Sequence, residues 1–371
     1  MNYFAEKKEY NIFVVGESRY SEDLVQELAD KNMELLPSIV SFSIAHPLKN
    51  YQSIQQLKGY IRKYKIDLVH VLFATPYALW TNYIKTPYFI TTRGSDVLVV
   101  LPELKKAPVY KRIYFNWLYN RFKKAFKKAQ KVTSTSELQQ SKIKEMFQVK
   151  ADVIRTGVEV EQILQLDAEA HLPVQLQKKE LVFSPRFMSD IYNISYQIDA
   201  IELLSQEIHK KYTFVFIKGK SFNQAYLDAQ LERLNQNETK LGLDFIVLDY
   251  LTQKELWATF KKAKLTIMTP KSDGTPNSAL EAMAARSPLI VSDLPYDKVL
   301  FENTCGKVPL NSAPTLADSI TNLLLNPPKP EELKRISDNV QEYGNRQVEM
   351  VKLEKLYDNF YSQKSKDSSV F

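Results

Sequence analysis

Short apolar runs alternate with helix-like segments along almost the whole chain. The runs lie at 11–15, 39–44, 67–73, 88–92, 131–134 and 152–155 in the first half, and at 181–184, 213–218, 244–248, 265–268 and 289–292 in the second. Segments of helical periodicity separate them, for example at 21–31, 53–64, 196–210, 224–235, 253–262 and 278–286. Parallel strands need a crossover between them, usually a helix. The alternation therefore predicts an α/β chain of parallel sheets with helices on both faces.

The length of the chain predicts two domains, each with its own sheet. The chain has 371 residues, more than one core usually holds. The segment 159–179 has no strand signal and contains Pro173, so we place the domain junction there. The predicted organisation is a Rossmann-like domain at 1–170, a second one at 171–345, and a final helix with a short tail at 346–371.

Cysteine and histidine content argues against a metal or disulfide framework. Cys305 is the single cysteine, which excludes an internal disulfide and a cysteine-based zinc site. The four histidines are scattered and show no metal-ligand spacing. The sequence has no apolar signal core and no apolar run near the ~18 residues of a membrane span. We therefore expect a cytoplasmic protein that needs no metal or other cofactor.

The segment 269–295, TPKSDGTPNSALEAMAARSPLIVSDLP, concentrates the features of a ligand site. A strand runs into a loop with Asp273 and Gly274, and a helix opens near Asn277 or Ser278. A helix start favours phosphate, and the carboxyl ends of parallel strands are where ligands bind in open sheets. A structural alternative stays open, because Ser278 and Glu281 also have the spacing of a capping box that needs no ligand.

This segment resembles the signature of family 4 glycosyltransferases, retaining enzymes of the GT-B fold with two Rossmann-like domains facing across a cleft. The family pattern is an acid, seven residues and Glu, here Asp273 and Glu281. The resemblance implies that Asp273 contacts the donor sugar and that Glu281 binds the ribose. It also implies that the backbone at Gly274, Thr275, Pro276, Asn277 and Ser278 lies beside the donor sugar and its phosphates. Arg286 stands where the family usually has Gly, so an altered helix end is expected.

Other segments extend the resemblance over most of the chain. SPRFMSDIYNISYQIDAIELL resembles the donor-phosphate segment, with Arg186 as one arm of a diphosphate clamp; a plain salt bridge is the alternative. The usual partner lysine is missing at 191–193, and Lys218, Lys220 and Lys271 are candidate substitutes. The closing helix resembles the one that crosses back to the first domain.

In the first half, PYFITTRGSDVL resembles the family strand that ends in His-Gly-Ser-Asp. Arg93, Gly94 and Asp96 would then face the cleft near the transferred sugar or acceptor, as would Gly16 after the first strand. The alternative for Asp96 is a helix cap in a tight turn. The resemblance makes Asp273, Arg186 and Asp96 the catalytic candidates.

A basic aromatic segment lies between Glu103 and Glu137, and no acidic residue occurs between these two positions. The net charge of +7 comes wholly from the first half of the chain. Aromatic and aliphatic residues recur at helical spacing among the cations, which suits the surface of an anionic bilayer. The alternative is that the stripe belongs to the core. The candidates for membrane contact are Lys111, Arg112, Trp117, Lys123, Lys124, Lys127 and Lys128.

The resemblance implies transfer of a sugar from a nucleotide-diphosphate sugar to a glycan or lipid-linked acceptor, with retention of configuration. Cell-surface polysaccharide or glycolipid assembly is the expected setting, in the cytoplasm or peripherally on the inner face of the membrane. Nucleic acid is not an expected partner, because no recognisable module accompanies the charge. The alternatives are a catalytically silent partner of the same fold, a sugar-nucleotide epimerase, and a two-lobed binding protein for small solutes.

Overall fold

The computed structural model describes residues 12–15 and 47–368, apart from Pro76, Ala107, 220–222 and Asn303. Gly16, Lys220, the predicted helix at 21–31 and the predicted strand at 39–44 lie outside the described residues. The chain divides into two compact units. Unit 1 ends its first part at Arg155 and resumes at Lys352, and unit 2 runs from Thr156 to Val351.

Unit 1 contains a five-stranded parallel sheet in the order β1-β2-β3-β4-β5. Its strands are β1 (Ile12–Val15), β2 (Leu68–Val71), β3 (Tyr88–Thr92), β4 (Lys131–Ser134) and β5 (Asp152–Val153). Its helices are α1 (Pro47–Lys63), α2 (Leu101–Glu103), α3 (Arg112–Lys128) and α4 (Glu137–Phe147), with a π-helical turn at Asp96–Val100 before α2. Every residue of β2 is buried, including His70, as is typical of a strand covered on both faces.

Unit 2 contains a six-stranded parallel sheet in the order β11-β10-β9-β6-β7-β8. Its strands are β6 (Leu181–Phe187), β7 (Thr213–Ile217), β8 (Asp244–Leu248), β9 (Ala263–Met268), β10 (Leu289–Ser292) and β11 (Gly306–Val308). Its helices are α5 (Val160–Gln165), α6 (Ala168–His171), α7 (Ile194–Glu202), α8 (Gln206–Lys211), α9 (Gln224–Leu241), α10 (Gln253–Lys262), α11 (Asn277–Ala284), α12 (Lys298–Phe301), α13 (Ala313–Leu325) and α14 (Pro330–Tyr343). The α/β class with two parallel sheets is therefore confirmed.

The strand order of unit 2 creates a switch point between β6 and β9. From β6 the chain adds β7 and then β8 on one side, and from β9 it adds β10 and then β11 on the other. The connections after β6 and after β9 therefore diverge, which opens a crevice at the carboxyl ends of these two strands. Small residues let α11 lie deep beside this point, since Ala279, Ala282 and Ala284 are fully buried.

The division between the units falls earlier than the predicted junction at residue 170. Val158, Val160 and Ile163 already pack in the core of unit 2, so the chain enters that unit at Thr156. Gly157 adopts a φ of +67°, and a Cβ there would lie 2.6 Å from the Cα of Arg346. Only glycine therefore permits the bridge that pairs Val158 with Asn345.

The last helix, α15 (Arg346–Ser368), begins at the predicted residue. Its residues up to Val351 belong to unit 2, and the part from Lys352 onward belongs to unit 1. There Tyr357 packs with Leu68 and Phe89, its ring stacked on Phe89 at 5.9 Å between centroids. The C-terminal helix thus returns to the first sheet, as predicted.

Candidate functional site

Two loops meet at the switch point of unit 2. One begins at the end of β6, where Arg186 lies, and the other follows β9 and contains Asp273. The second loop is anchored to the sheet, because Thr269 accepts a hydrogen bond from Gln197 Nε2 (3.1 Å) and Ser292 Oγ donates to the carbonyl of Pro270 (3.0 Å). The predicted donor residues therefore stand on a positioned loop at the expected edge of the sheet.

Arg186 joins three parts of this site. Its Nη1 donates to Ser278 Oγ at 3.0 Å, and its Nη2 lies 3.3 Å from Asp273 Oδ2. The guanidinium also stacks on the ring of Tyr192, 4.0 Å from the centroid. The side chains of Arg186 and Asp273 are 19% and 20% exposed, so the pair is partly open to solvent. The salt bridge that sequence reasoning left as the alternative is therefore present, at the position expected for a phosphate-binding guanidinium.

Asp273 is held in a partly buried setting. Its Oδ1 accepts the backbone N–H of Gly274 at 2.8 Å. Burial raises the pKa of the carboxyl above its ordinary value, and the charge of Arg186 and the Gly274 N–H oppose that rise without cancelling it. Thr275 Oγ1 donates to the buried Asp297 Oδ2 at 2.7 Å, which fixes the turn before α11.

The first turn of α11 does not form the capping box that its sequence allows. The N-cap residue is Pro276, and no side chain caps the turn. Ser278 instead accepts from Arg186, and Glu281 turns toward α10. The first N–H groups of a helix lack intrahelical partners, so this end keeps its capacity to bind an anion.

Glu281 is bound by two side chains that the sequence analysis did not identify. Gln253 Nε2 (2.7 Å) and Trp257 Nε1 (3.2 Å) both donate to Oε1. Within the described part of the chain, Oε2 accepts no hydrogen bond. Burial raises the pKa of the carboxyl, and the donors from Trp257 and Gln253 only partly offset that effect. The sequence signal that could have placed Gln253 and Trp257 on a helix was the capping box of Thr252 and Glu255, which fixes where α10 begins.

A groove of about 990 Å³ adjoins this corner of unit 2. It is lined by residues 170–175 and 247–255, and so includes Gln253, the partner of Glu281. The groove is large enough for a small organic ligand, since typical ligand pockets measure about 300–1,000 Å³.

Two of the three candidate substitutes for the missing clamp lysine are described. Lys271 Nζ pairs with Asp190 Oδ1 at 2.7 Å, and Lys218 Nζ lies 3.7 Å from Asp249 Oδ1. The backbone N–H of Lys271 also donates to the carbonyl of Ile191, which ties the two loops of the switch point together. Lys271 is therefore the candidate that stands between these loops.

Asp96 in unit 1 has the contacts of a structural residue. Its side chain is fully buried and accepts backbone N–H groups of Ala74, Gly94 and Val97, each at 3.0 Å, and of Arg93 at 3.2 Å. Burial raises its pKa more than these donors lower it. The carboxylate thus organises the turn, in line with the structural alternative, while Arg93 is exposed and Gly94 is buried with a φ of +129°.

The helix end at Arg286 keeps the geometry that glycine usually provides. Arg286 has a φ of +59°, in the left-handed region. Its N–H donates to the carbonyl of Met283 and that of Ser287 to the carbonyl of Ala282, the two bonds of a Schellman motif. An altered end of α11 was expected because arginine replaces the usual glycine. The residue type differs, but the backbone keeps the conformation that glycine usually adopts at such an end.

Comparisons with known proteins agree with this fold. The chain matches the family described as glycosyl transferases group 1 over residues 167–342 and the family described as glycosyl transferase 4-like over residues 3–136. An uncharacterized glycosyltransferase of Methanocaldococcus jannaschii is 24% identical over 364 residues, covering 91% of this chain and 92% of that protein.

Solved structures with the same fold are more distant in sequence. A glycosyltransferase from Rickettsia africae superposes with a TM-score of 0.68 at 16% identity, covering 94% of this chain and 89% of that one. Sucrose-phosphate synthase from Thermosynechococcus elongatus gives 0.67 at 16%, covering 89% and 83%. The Anabaena protein HepE, solved with UDP and glucose, gives 0.63 at 13%, covering 92% and 90%.

The fold and these matches define the class of protein, a glycosyltransferase. More particularly, the chain belongs to the family 4-like glycosyltransferases of the GT-B fold. None of the helices that the structure describes combines the length and apolarity that a membrane span requires.

Proposed function

We propose that unit 2 binds a nucleoside-diphosphate sugar at the switch point between β6 and β9, and that the enzyme transfers the sugar from it. The observation that carries this proposal is the convergence of Arg186, Asp273 and Ser278 at the uncapped start of α11, with Glu281 one turn further on. A guanidinium, a helix start and two carboxylates together match the charge and hydroxyl pattern of such a donor.

The diphosphate would bind at Arg186 and the first turn of α11. The planar guanidinium can exchange its bonds to Ser278 and Asp273 for phosphate oxygens, a role that suits arginine because it binds such oxygens bidentately. Cleavage of the sugar–phosphate bond leaves negative charge on the departing phosphate. The positive end of the helix and Arg186 are placed to stabilise that charge as it develops.

The two carboxylates would bind hydroxyl groups of the donor. Asp273 stands beside the phosphate-binding positions and would accept hydroxyls of the transferred sugar. Glu281 has one oxygen bound by Gln253 and Trp257 and the other without a hydrogen bond from the described residues, so Oε2 can accept ribose hydroxyls. The groove beside Gln253 would then receive the nucleoside base.

The finer parts of the proposal rest on the family resemblance. They are retention of the anomeric configuration, a glycan or lipid-linked acceptor, and a role in cell-surface polysaccharide or glycolipid assembly on the cytoplasmic side of the membrane. The positive groups of the site are protein groups, so no metal is assigned to the reaction. Chelation of divalent ions is accordingly expected to leave the transfer rate unchanged.

A thermal-shift screen with UDP, GDP, ADP and CMP tests donor binding. A nucleotide at about 100 times its Kd stabilises the folded state by about 2.7 kcal/mol. That corresponds to a rise of about 5–11 °C for a unit of this size. Arg186→Gln should abolish the shift, whereas Lys334→Gln, which changes an exposed lysine paired with Asp338 on α14, should not change it.

The absence of a shift with every nucleotide would contradict the proposal and favour a silent partner protein. Conversion of a donor to its epimer without an acceptor would favour an epimerase instead. Retention is checked separately by the anomeric proton signal of the first product formed.

A further inference from the structure

Helix α3 in unit 1 has an apolar surface that nothing in the described structure covers. Val109 and Tyr110 in the turn before the helix, and Ile113 in its first turn, are 84%, 81% and 89% exposed. Trp117, one turn further on, is 48% exposed. Single exposed apolar residues are ordinary, but a contiguous group of this size marks a surface that meets another phase or partner.

The opposite face of α3 packs into the core of unit 1. Leu118, Tyr119, Phe122, Ala125 and Phe126 are buried in the cluster that packs against the sheet of unit 1. The core alternative of the sequence analysis thus explains one face of the helix only. The stripe with Ile113 and Trp117 points outward and needs a separate explanation.

The same outward face carries positive charge in its second half. Lys124, Lys127 and Lys128 follow Ile113 by 11, 14 and 15 positions, which at about 100° per residue places all three within a quarter-turn of it. All three are exposed and form no salt bridge with the residues that the structure describes. Over about 22 Å of helix, the surface changes from apolar to basic.

We propose that this surface docks the protein on an anionic lipid bilayer. The docking face consists of Val109, Tyr110, Ile113, Trp117, Lys124, Lys127 and Lys128, with Lys111, Arg112 and Lys123 at its margin. The apolar end enters the interfacial region, where tryptophan and tyrosine are favoured, and the lysines contact lipid phosphates. This inference does not depend on the proposed function, since it concerns unit 1 and needs no nucleotide.

Charge distribution favours a bilayer over a protein partner. The acid nearest in sequence, Glu103, is paired with Lys106 at 2.8 Å, so it does not offset the lysines of the docking face. Protein interfaces are depleted of lysine relative to the rest of the surface, whereas the second half of this face consists of lysines. Lysines beside an apolar tip that contains tryptophan and tyrosine instead complement the anionic headgroups and the interfacial region of a bilayer.

Tryptophan fluorescence gives a direct test. Of the three tryptophans, Trp80 and Trp257 are buried and Trp117 alone is half exposed. Addition of vesicles of phosphatidylcholine and phosphatidylglycerol to the full chain should shift the emission to the blue and protect it from acrylamide. Pure phosphatidylcholine vesicles should have much less effect. Trp117→Phe should remove the shift while leaving the melting temperature unchanged.

Variants separate the two halves of the docking face. The triple change Lys124→Gln, Lys127→Gln and Lys128→Gln should weaken vesicle binding by on the order of 100-fold, at about 1 kcal/mol per charge. The matched control removes three exposed lysines of unit 2, Lys210, Lys240 and Lys307, and should leave binding nearly unchanged. Ile113→Ser combined with Tyr110→Ser should abolish the Trp117 shift, whereas Leu325→Ser, which changes an exposed leucine of unit 2, should not.

Three results would overturn the inference. The first is the absence of a Trp117 shift with anionic vesicles, and the second is vesicle binding that both lysine variants reduce equally. The third is self-association of the chain that buries Trp117 and that Ile113→Ser disrupts, which would assign the face to a second copy. Binding should also weaken at about 1 M salt, where charges interact over only about 3 Å.

Discussion

Replacing Glu281 by glutamine should separate the binding role of this residue from its structural role. The two side chains have the same shape, and in Glu281→Gln the amide oxygen would take the place of Oε1 and keep both bonds from Gln253 and Trp257. What changes is the second oxygen, which becomes an NH₂ group. Ribose hydroxyls would then lose a charged acceptor.

The expected loss of affinity follows from the kind of hydrogen bond involved. A hydrogen bond to a charged group contributes about 1.5–3 kcal/mol, against about 0.5–1.5 for a neutral one. The difference of about 1–2 kcal/mol corresponds to a Kd for the nucleotide that rises about 5- to 30-fold.

Stability should change in the opposite direction. Burial raises the pKa of Glu281, so the folded state binds its proton more tightly than the unfolded chain does. The stability that this proton provides is present below the unfolded pKa of 4.5 and is lost as the pH rises through the folded value. At pH 7.5 the carboxylate therefore costs stability, and the glutamine variant should melt at a higher temperature than the parent.

Calorimetric titration with the nucleotide found in the screen measures the first effect, and melting curves at pH 7.5 and pH 4 measure the second. Glu281→Ala is the control, because it leaves Trp257 Nε1 and the Gln253 amide without their acceptor. Its unfolding free energy should fall by about 1–3 kcal/mol. Undiminished affinity in Glu281→Gln, or a lower melting temperature than the parent at pH 7.5, would refute the reasoning.

Three further changes have defined outcomes. Asp273→Ala should abolish sugar transfer without lowering the melting temperature, because burial already disfavours its charged form; full turnover would remove Asp273 from the site. Arg286→Gly should raise the melting temperature by about 2–4 °C, since a non-glycine residue in the left-handed region costs about 1 kcal/mol, whereas Arg286→Ala should change it little. His70 is buried with a pKa lowered to about 3, so the stability it provides is present above pH 6.5 and is lost as the pH falls toward 3. Between pH 7.5 and pH 5 the parent should lose about 2 kcal/mol that His70→Gln does not lose, a difference visible in melting curves.

Much of the second sheet could be predicted because its strands are buried on both faces. Such strands appear in sequence as continuous apolar runs, and β7 and β10 follow this rule. Edge strand β11 was missed, since it has three residues and includes Gly306 and Lys307. The junction was placed late because α5 gives no strand signal, although its apolar side chains belong to the core of unit 2.

The site was predictable where it depends on local sequence and hidden where it depends on packing. Asp273 and Arg186 were identified from motifs, and they lie together because β6 and β9 are neighbours in the sheet. Trp257 beside Glu281 could not be foreseen, because this contact joins two different helices. Tyr192 lies close to Arg186 in sequence, but no local pattern indicated that its ring would stack on the guanidinium. The burial of Asp96 was likewise hidden, since its partner Ala74 follows a different strand.

The return of α15 to the first sheet has a consequence for protein synthesis. Unit 1 is built from two separate stretches, so its final piece is made only after all of unit 2 has been translated. At about 5–20 residues per second, the ribosome needs about 10–40 s to pass from Arg155 to Lys352. During that interval Leu68 and Phe89 lack the cover of Tyr357, and the nascent first unit is expected to be the part of the chain that chaperones bind.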